Sequence, residues 1–311
     1  MTKLALVFPG QGSQTVGMLS ELYSEFATVR ETFDEASTAL GYDLWALVAN
    51  GPEADLNETH RTQPALLTAS VAIWRLWQQQ GGTTPAYMAG HSLGEYSALV
   101  CSGALSLSDA VKLVEKRGQY MQTAVPAGTG AMQAIIGLED ALIAKACTEA
   151  AQDEVVSPVN FNSPGQVVIA GNKAAVERAG ELCKAYGAKR ALPLPVSVPS
   201  HCALMKPAAE KLATDLAGLD FHPTVIPVLN NVDVVIAVAQ NDVKDALIRQ
   251  LFSPVRWTES IEWLAAQGVT DVVEIGAGKV LAGLIKRIDK NLNTYSVNDI
   301  ASLNNALNPT T

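Results

Sequence analysis

Gly90-His91-Ser92-Leu93-Gly94 is the stretch on which the fold turns. The apolar run Ala86-Tyr87-Met88-Ala89 precedes it and a helix-compatible run, 95–100, follows. This G-x-S-x-G pattern therefore lies in a strand, sharp turn, helix context. Gly90 and Gly94 keep bulk out of the turn, which lifts the Ser92 hydroxyl clear of a sheet at a helix N-terminus. Such an end offers unpaired N–H groups and a partial positive charge to an oxyanion. The plain alternative is a structural glycine turn, since short patterns of this kind also arise by chance.

Upstream, Leu4-Ala5-Leu6-Val7-Phe8 predicts a strand buried on both faces. It runs into Pro9-Gly10-Gln11-Gly12-Ser13-Gln14, a loop that glycine lets approach a ligand closely. The loop has neither the third glycine of a dinucleotide fingerprint nor the lysine of a phosphate loop. Helices are predicted over 17–39, 44–49 and 64–80, the last with an apolar stripe at Leu67, Val71, Trp74 and Trp77.

Downstream, Gly103 ends the helix after the turn and Ser108 or Asp109 starts the next, over 110–122. At about 100° per residue, Ala110, Val111, Val114, Gly118 and Met121 share one arc, opposite Lys112, Glu115 and Lys116. Arg117 sits at the border of the inward arc. Either it snorkels to solvent or pairs with a structural carboxylate, or it points into a pocket to hold a substrate carboxylate through two parallel hydrogen bonds.

From Pro126 the pattern changes. Strands are predicted over 131–136, 155–161, 166–170 and 190–194, helices over 139–151 and 173–186, and a turn at Asn162-Ser163-Pro164-Gly165. The order β-α-β-β-α-β is that of a ferredoxin-like unit. Residues 126–196 thus read as a subdomain inserted into an α/β main domain, 1–125 and 197–311. The main domain resumes at Ser197, with Ser200-His201-Cys202 ahead of a helix over 207–217. A strand over 225–229, helices over 243–251 and 258–267, and a strand over 269–275 follow. Gly276-Ala277-Gly278-Lys279 reads as a strand-to-helix turn, because Val273 stands where a phosphate loop needs glycine. A helix over 280–290, a short strand near Tyr295 and a frayed polar tail complete the chain.

With 311 residues, 48% hydrophobic and 17% charged, the chain suits one large α/β domain carrying an insert. A net charge of −9 provides no basic field for nucleic acid. No apolar run approaches the roughly 18 residues of a membrane span, and Pro9-Gly10 halts the first run too early for a signal peptide. Cys101, Cys147, Cys183 and Cys202 show no C-x-x-C spacing, so reduced thiols are expected, with neither a zinc site nor a disulfide framework. A soluble, cytoplasmic protein without metal or other cofactor is the expectation.

A serine hydroxyl needs a base to become a nucleophile. The candidates are His60, His91, His201 and His222. His91 adjoins Ser92 in the turn and should point away from it, while His60 and His222 fall in polar loops. His201, in a main-domain loop between a proline-containing entry and a helix, is the best placed. Cys202 lacks a nucleophile's flanking signature and reads as a small buried thiol.

Several spaced motifs now agree in order: Phe8-Pro9-Gly10-Gln11-Gly12-Ser13-Gln14, Gly90-His91-Ser92-Leu93-Gly94-Glu95-Tyr96, Arg117, Asn160-Phe161-Asn162-Ser163-Pro164 and Pro199-Ser200-His201. Together they resemble the malonyl-CoA:acyl carrier protein transacylases of dissociated bacterial fatty acid synthesis, from residue 3 to about residue 290. The resemblance implies a hydrolase-like α/β core with a ferredoxin-like insert covering the cleft. It implies that Ser92 carries malonyl as an ester, that His201 is general base and then acid, and that the backbone N–H groups of Gln11 and Leu93 form the oxyanion hole. It further implies that Arg117 and Met121 bind the substrate, Arg117 through the free carboxylate. The Gln250 backbone carbonyl would stand in for the triad acid, where the residues alone do not separate Gln250 from Asp242 or Asp245. The implied partners are malonyl-CoA and acyl carrier protein, and the implied state is a monomer.

Two positions depart from that pattern. Relatives often carry proline in the middle of Gly276-Ala277-Gly278, which bears on local backbone alone. Ser200 occupies a position where multidomain malonyl-selecting acyltransferases commonly have phenylalanine, although stand-alone bacterial enzymes tend to have serine. A serine thioesterase or esterase, or a non-catalytic synthase subunit, are the competing functions. An acidic chain that docks an acidic carrier needs a local basic patch, for which Lys279, Lys286, Arg287 and Lys290 are one candidate and Lys189 with Arg190 another.

Overall fold

The strands, in chain order, are β1 (Leu4–Phe8), β2 (Tyr87–Gly90), β3 (Gly130–Ile136), β4 (Val156–Ser163), β5 (Gln166–Asn172), β6 (Arg190–Pro193), β7 (Val228–Leu229), β8 (Asp271–Ile275) and β9 (Asn293–Val297) in a computed structural model that describes residues 3–196 and 198–308. Five of them form a parallel sheet in the order β7-β2-β1-β8-β9. Every residue of β1 is buried. Leu4, Leu6 and Phe8 face one apolar core, while Ala5 and Val7 face a second on the other side. A strand at the centre of a parallel sheet is covered by helices on both faces, which is why its sequence is continuously apolar rather than alternating.

Phe8 pairs with Gly90, so the loop after β1 and the turn after β2 leave the sheet side by side at its carboxyl end. Residues Asn230 and Asn231 follow β7 at the same end. Crevices at the carboxyl ends of parallel strands are where α/β folds place their chemistry.

The remaining four strands form an antiparallel sheet in the order β4-β5-β3-β6. With helices Asp140–Ala151 and Lys173–Ala185 they make the expected ferredoxin-like unit, centred on its own core of Ile135, Ile143, Val167, Ile169 and Val176. Strand β4 ties this unit to the main sheet's layer. Phe161 N–H donates to Val255 O at 3.0 Å and Val255 N–H to Val159 O at 2.8 Å. Thr258 Oγ1 adds a bond to Phe161 O at 3.0 Å.

Several expectations need correction. The helix expected over 17–39 is two, Ser20–Glu25 and Ala27–Leu40, because Phe26 is extended at φ −110° and ψ 122°. The helix expected from Pro64 begins at Thr59, where Thr62 Oγ1 donates to Leu56 O at 2.6 Å and ties down the preceding turn. His60 therefore lies on a helix, not in a loop. Ser106, rather than Ser108 or Asp109, caps the helix Leu107–Thr123 by accepting from Asp109 N–H at 3.1 Å. β4 runs through Ser163, leaving Pro164-Gly165 as the hairpin turn. The strand expected over 225–229 shrinks to the two residues of β7.

The chain end is not frayed up to residue 308. Asp299 and Ser302 form a capping box on the helix Ile300–Leu307, which buries Leu303 and Ala306. Ser197, where the main domain was expected to resume, and residues 309–311 lie outside the described residues. The helix expected over 280–290 ends at Ile288, so Lys279 precedes it, Lys290 follows it, and the basic residues do not share one helical face.

Glu274 explains the turn after β8. Its buried carboxylate accepts from Ala282 N–H at 2.8 Å and occupies the N-terminus of the helix Val280–Ile288. The anion site that a phosphate loop would leave open is filled by the protein's own side chain. Among the described residues, no helix is long and apolar enough to cross a membrane.

Candidate active site

Ser92 stands at φ 53° and ψ −107° immediately before the helix Leu93–Cys101. That conformation is unfavourable for a residue with a Cβ and costs on the order of 1–3 kcal/mol. The surroundings hold it. Asn231 Oδ1 accepts from Ser92 N–H at 2.7 Å, and Asn231 Nδ2 donates to Gly90 O at 2.6 Å, so one buried amide spans the turn. The two glycines are required by space. A Cβ on Gly90 would lie 1.8 Å from the Gly94 carbonyl carbon, and one on Gly94 would lie 2.0 Å from Phe8 O.

His201 meets Ser92 as expected. Its Nε2 lies 2.8 Å from Ser92 Oγ, and its Nδ1 lies 2.7 Å from Gln250 O. A carbonyl only accepts, so Nδ1 carries the proton and Nε2 is left to accept from the serine. Gln250 ends the helix Gln240–Gln250, where carbonyls lack partners within the helix and carry the negative end of its dipole. That helix end stands where a triad acid would. Asp242 and Asp245 lie earlier on the same helix, and Asp245 is engaged by Arg249 at 2.6 Å. Burial, and then the Arg117 charge, push the His201 imidazole down to about 3.

Arg117 is completely buried, neither at a border nor snorkelling. Its Nη1 donates to Gln63 Oε1 at 2.7 Å, and its Nη2 to Gln250 Oε1 at 2.9 Å and Ser92 Oγ at 3.3 Å. The guanidinium sits 5.3 Å from the Tyr96 ring centre, and its Nε has no partner. Among the described residues it forms no ion pair. A buried cation held by neutral amides, beside a serine, retains capacity for an anion. Met121 is buried, and the Gln63 side-chain amide Nε2 lies 3.6 Å from its sulfur.

The two N–H groups expected to form an oxyanion hole are set by backbone. Leu93 opens its helix, so its N–H has no acceptor within that helix. The glycine-rich loop lies directly against the nucleophile turn, since a Cβ on Gly10 would fall 2.6 Å from His91 O. Gln11 follows Gly10 directly in that loop. The loop is braced by Ser13 Oγ donating to Gly10 O at 2.9 Å and Gly12 N–H donating to Gln14 Oε1 at 2.8 Å.

The other histidines stay out. His91 turns away from Ser92, pairs through Nε2 with Asn162 Oδ1 of β4 at 2.8 Å, and packs on Trp257. His60 bonds Gln122 at 2.8 Å, and His222 is exposed. Cys202 is buried, bonds Pro199 O at 3.2 Å, and burial pushes its thiol up to about 11, which makes it inert. No group of His, Cys, Asp and Glu that could hold a metal ion occurs among the described residues.

Sequence reasoning missed Gln63, Glu95, Asn231 and Asn162 as site residues. Glu95 carried a signal, being fused to the nucleophile motif, and Asn162 lay within a quoted motif of the insert. Gln63 and Asn231 reach the site from chain segments whose spacing gives no hint of it.

The acyl transferase domain family matches residues 5–304. The malonyl CoA-acyl carrier protein transacylase of Salmonella typhimurium is 66% identical over 307 residues, spanning 99% of both chains. The crystal structure of an acyl carrier protein S-malonyltransferase from Vibrio cholerae superposes with a TM-score of 0.96 at 69% identity, covering 97% of this chain and 99% of that one. A malonyl-transacylase in complex with its type II PKS acyl-carrier protein superposes at 0.98 with 62% identity, covering 99% and 100%. By sequence and by fold, the chain belongs to the acyl transferase domain family, among its malonyl CoA-acyl carrier protein transacylases.

Proposed function

We propose that Ser92, His201, Gln250, Arg117 and the backbone of Gln11 and Leu93 transfer malonyl from coenzyme A to the pantetheine thiol of acyl carrier protein. The carrying observation is that Ser92 Oγ lies 2.8 Å from the His201 imidazole and 3.3 Å from a buried cation that has no carboxylate partner among the described residues. One side serves acyl transfer and the other a short acyl group ending in a carboxylate.

His201 Nε2 takes the Ser92 proton as Oγ attacks the thioester carbon. The N–H groups of Leu93 and Gln11 receive the oxyanion, in a site whose helix N-terminus favours it. Collapse expels the coenzyme A sulfur, which takes the proton back from His201, and leaves the malonyl ester on Ser92. The carrier thiol then gives its proton to His201, attacks the ester, and restores the serine. The Gln250 carbonyl holds the imidazole in the required tautomer throughout. A malonyl carboxylate on Arg117 offsets the cation that depresses His201, so the proper substrate also makes the base more basic. Met121 shapes the pocket through its contact with Gln63.

The main domain, 1–125 and 197–311, carries this chemistry and the insert, 126–196, covers the cleft. All these groups come from one chain, which fits a monomer. The chemistry needs no resident cofactor, and a cytoplasmic location suits its substrates.

Incubation with malonyl-CoA labelled in the acyl group tests the reading against a thioesterase. We expect label on Ser92 that moves to carrier protein on its addition. Rapid release of free malonate without any carrier requirement sinks the transferase reading, and no label on Ser92 revives a non-catalytic subunit.

A further inference from the structure

Glu95 takes no part in the transfer just described, yet its side chain is buried beneath the nucleophile turn at 3% exposure. One oxygen, Oε2, accepts from the Gln250 side-chain amide at 2.8 Å and from the Asn231 backbone N–H at 3.0 Å. Burial raises the Glu95 carboxyl to about 7, yet Oε2 meets two N–H donors and so acts as an acceptor whether or not the other oxygen carries a proton, and it dictates which end of the Gln250 amide faces it. The Nε2 end turns toward Glu95 and toward Ser92 O, 3.1 Å away. The Oε1 end is thereby left for Arg117 Nη2 at 2.9 Å. Turned over, the amide would set its donors against the guanidinium and its carbonyl against the carboxylate. Gln63 supplies the second acceptor at Nη1, so two amide oxygens aim the cation, and one of them is oriented by Glu95.

We propose that Glu95 is a positioning residue for acyl-group selection: its Oε2 sets the Gln250 amide, and that amide aims Arg117 at the free carboxylate of the acyl group. The inference rests on the reading of Arg117 given above. The role is one of reach and acceptance. Glutamine at 95 can place an oxygen at the same point and keep both bonds, whereas aspartate keeps the charge and withdraws the oxygen by one methylene.

The readout is the ratio of kcat/KM for malonyl-CoA to that for acetyl-CoA, which general damage to the fold does not move. Glu95→Asp is expected to lower the ratio about tenfold or more, and Glu95→Gln to hold it within about threefold. In a cycle with Gln250→Ala, which keeps the backbone carbonyl used by His201, Glu95→Asp should add no further loss. A ratio that falls in Glu95→Gln but not in Glu95→Asp overturns the proposal, as do equal losses on both substrates or multiplicative losses in the cycle. Should Glu95→Asp not fold, Glu95→Gln still decides, because a tenfold fall there is fatal. Arg117→Ala runs alongside. If it leaves the ratio unchanged, the reading of Arg117 itself fails; if it lowers the ratio while Glu95→Asp does not, only the role of Glu95 does.

Discussion

Burying a guanidinium among amides is costly unless something repays it, and in the proposed reaction the free carboxylate of the acyl group does so at Arg117. Truncating one partner of a buried charge pair removes about 2–5 kcal/mol. Arg117→Ala should therefore lower kcat/KM for malonyl transfer by about a hundredfold or more. Acetyl transfer should fall much less, or rise, since the field that depresses His201 is removed with the charge. Equal losses on both substrates would make the arginine structural. Burial first, and then this field, set a pH signature. Because His201 is held down to about 3, the free enzyme's base stays available well below pH 6.5. The kcat/KM profile should thus lack an acid limb near the ordinary histidine range, and in Arg117→Ala the limb should move to higher pH. The sign for stability follows from the same shift. A group whose folded value lies below its unfolded one contributes fully above pH 6.5, and its contribution is lost as pH falls toward about 3. A limb at pH 6–7 in the wild-type enzyme would contradict this.

At the scale of elements, the turn between β2 and its helix is legible because its demands are local. Both glycines are read from the motif, and each is enforced by backbone atoms that cannot retreat: Phe8 O stands 2.0 Å from where a Gly94 Cβ would go. Gly94→Ala should lower thermal stability by several kcal/mol, in the range of severe overpacking, and eliminate Ser92 labelling; a variant that melts like wild type and still labels would show that the turn has slack. Strand β1 was legible for the same reason, as a continuous apolar run closed by Pro9-Gly10, and the helix after the turn as a helix-compatible run closed by Gly103. The helix Ile300–Leu307 was not, because so short a run, interrupted by Asn304-Asn305, holds by its cap and by burial of Leu303 and Ala306. The split at Phe26 was equally hidden, since either side continues the helical period.

Across the whole molecule, the insert is tied beside the nucleophile turn by the Asn162–His91 bond and the β4–Val255 contacts. A net charge of −9 must be locally reversed where an acidic carrier docks. Lys286 and Arg287 are exposed, with Arg287 Nη1 bonding Gln166 Oε1 of the insert at 2.6 Å, while Lys189 and Arg190 are exposed on the insert itself. Charge reversal at the docking patch should raise KM for carrier protein severalfold and leave KM for malonyl-CoA alone. A patch whose reversal changes neither is excluded.

The nucleophile turn, the α/β core and the ferredoxin-like insert are legible in the sequence, because short-range sterics and periodicity encode them directly, while His201 stands out there only as the best placed of four histidines and through the resemblance of the ordered motifs. Packing across the fold is what encloses Arg117 wholly, sets a helix-end carbonyl rather than Asp242 or Asp245 against His201, and brings Gln63, Glu95 and Asn231 alongside. The reason is physical. A buried side chain's partners are chosen by which distant elements pack together, and Ser92 is separated from Asn231 and Gln250 by 139 and 158 positions while lying one hydrogen bond from each.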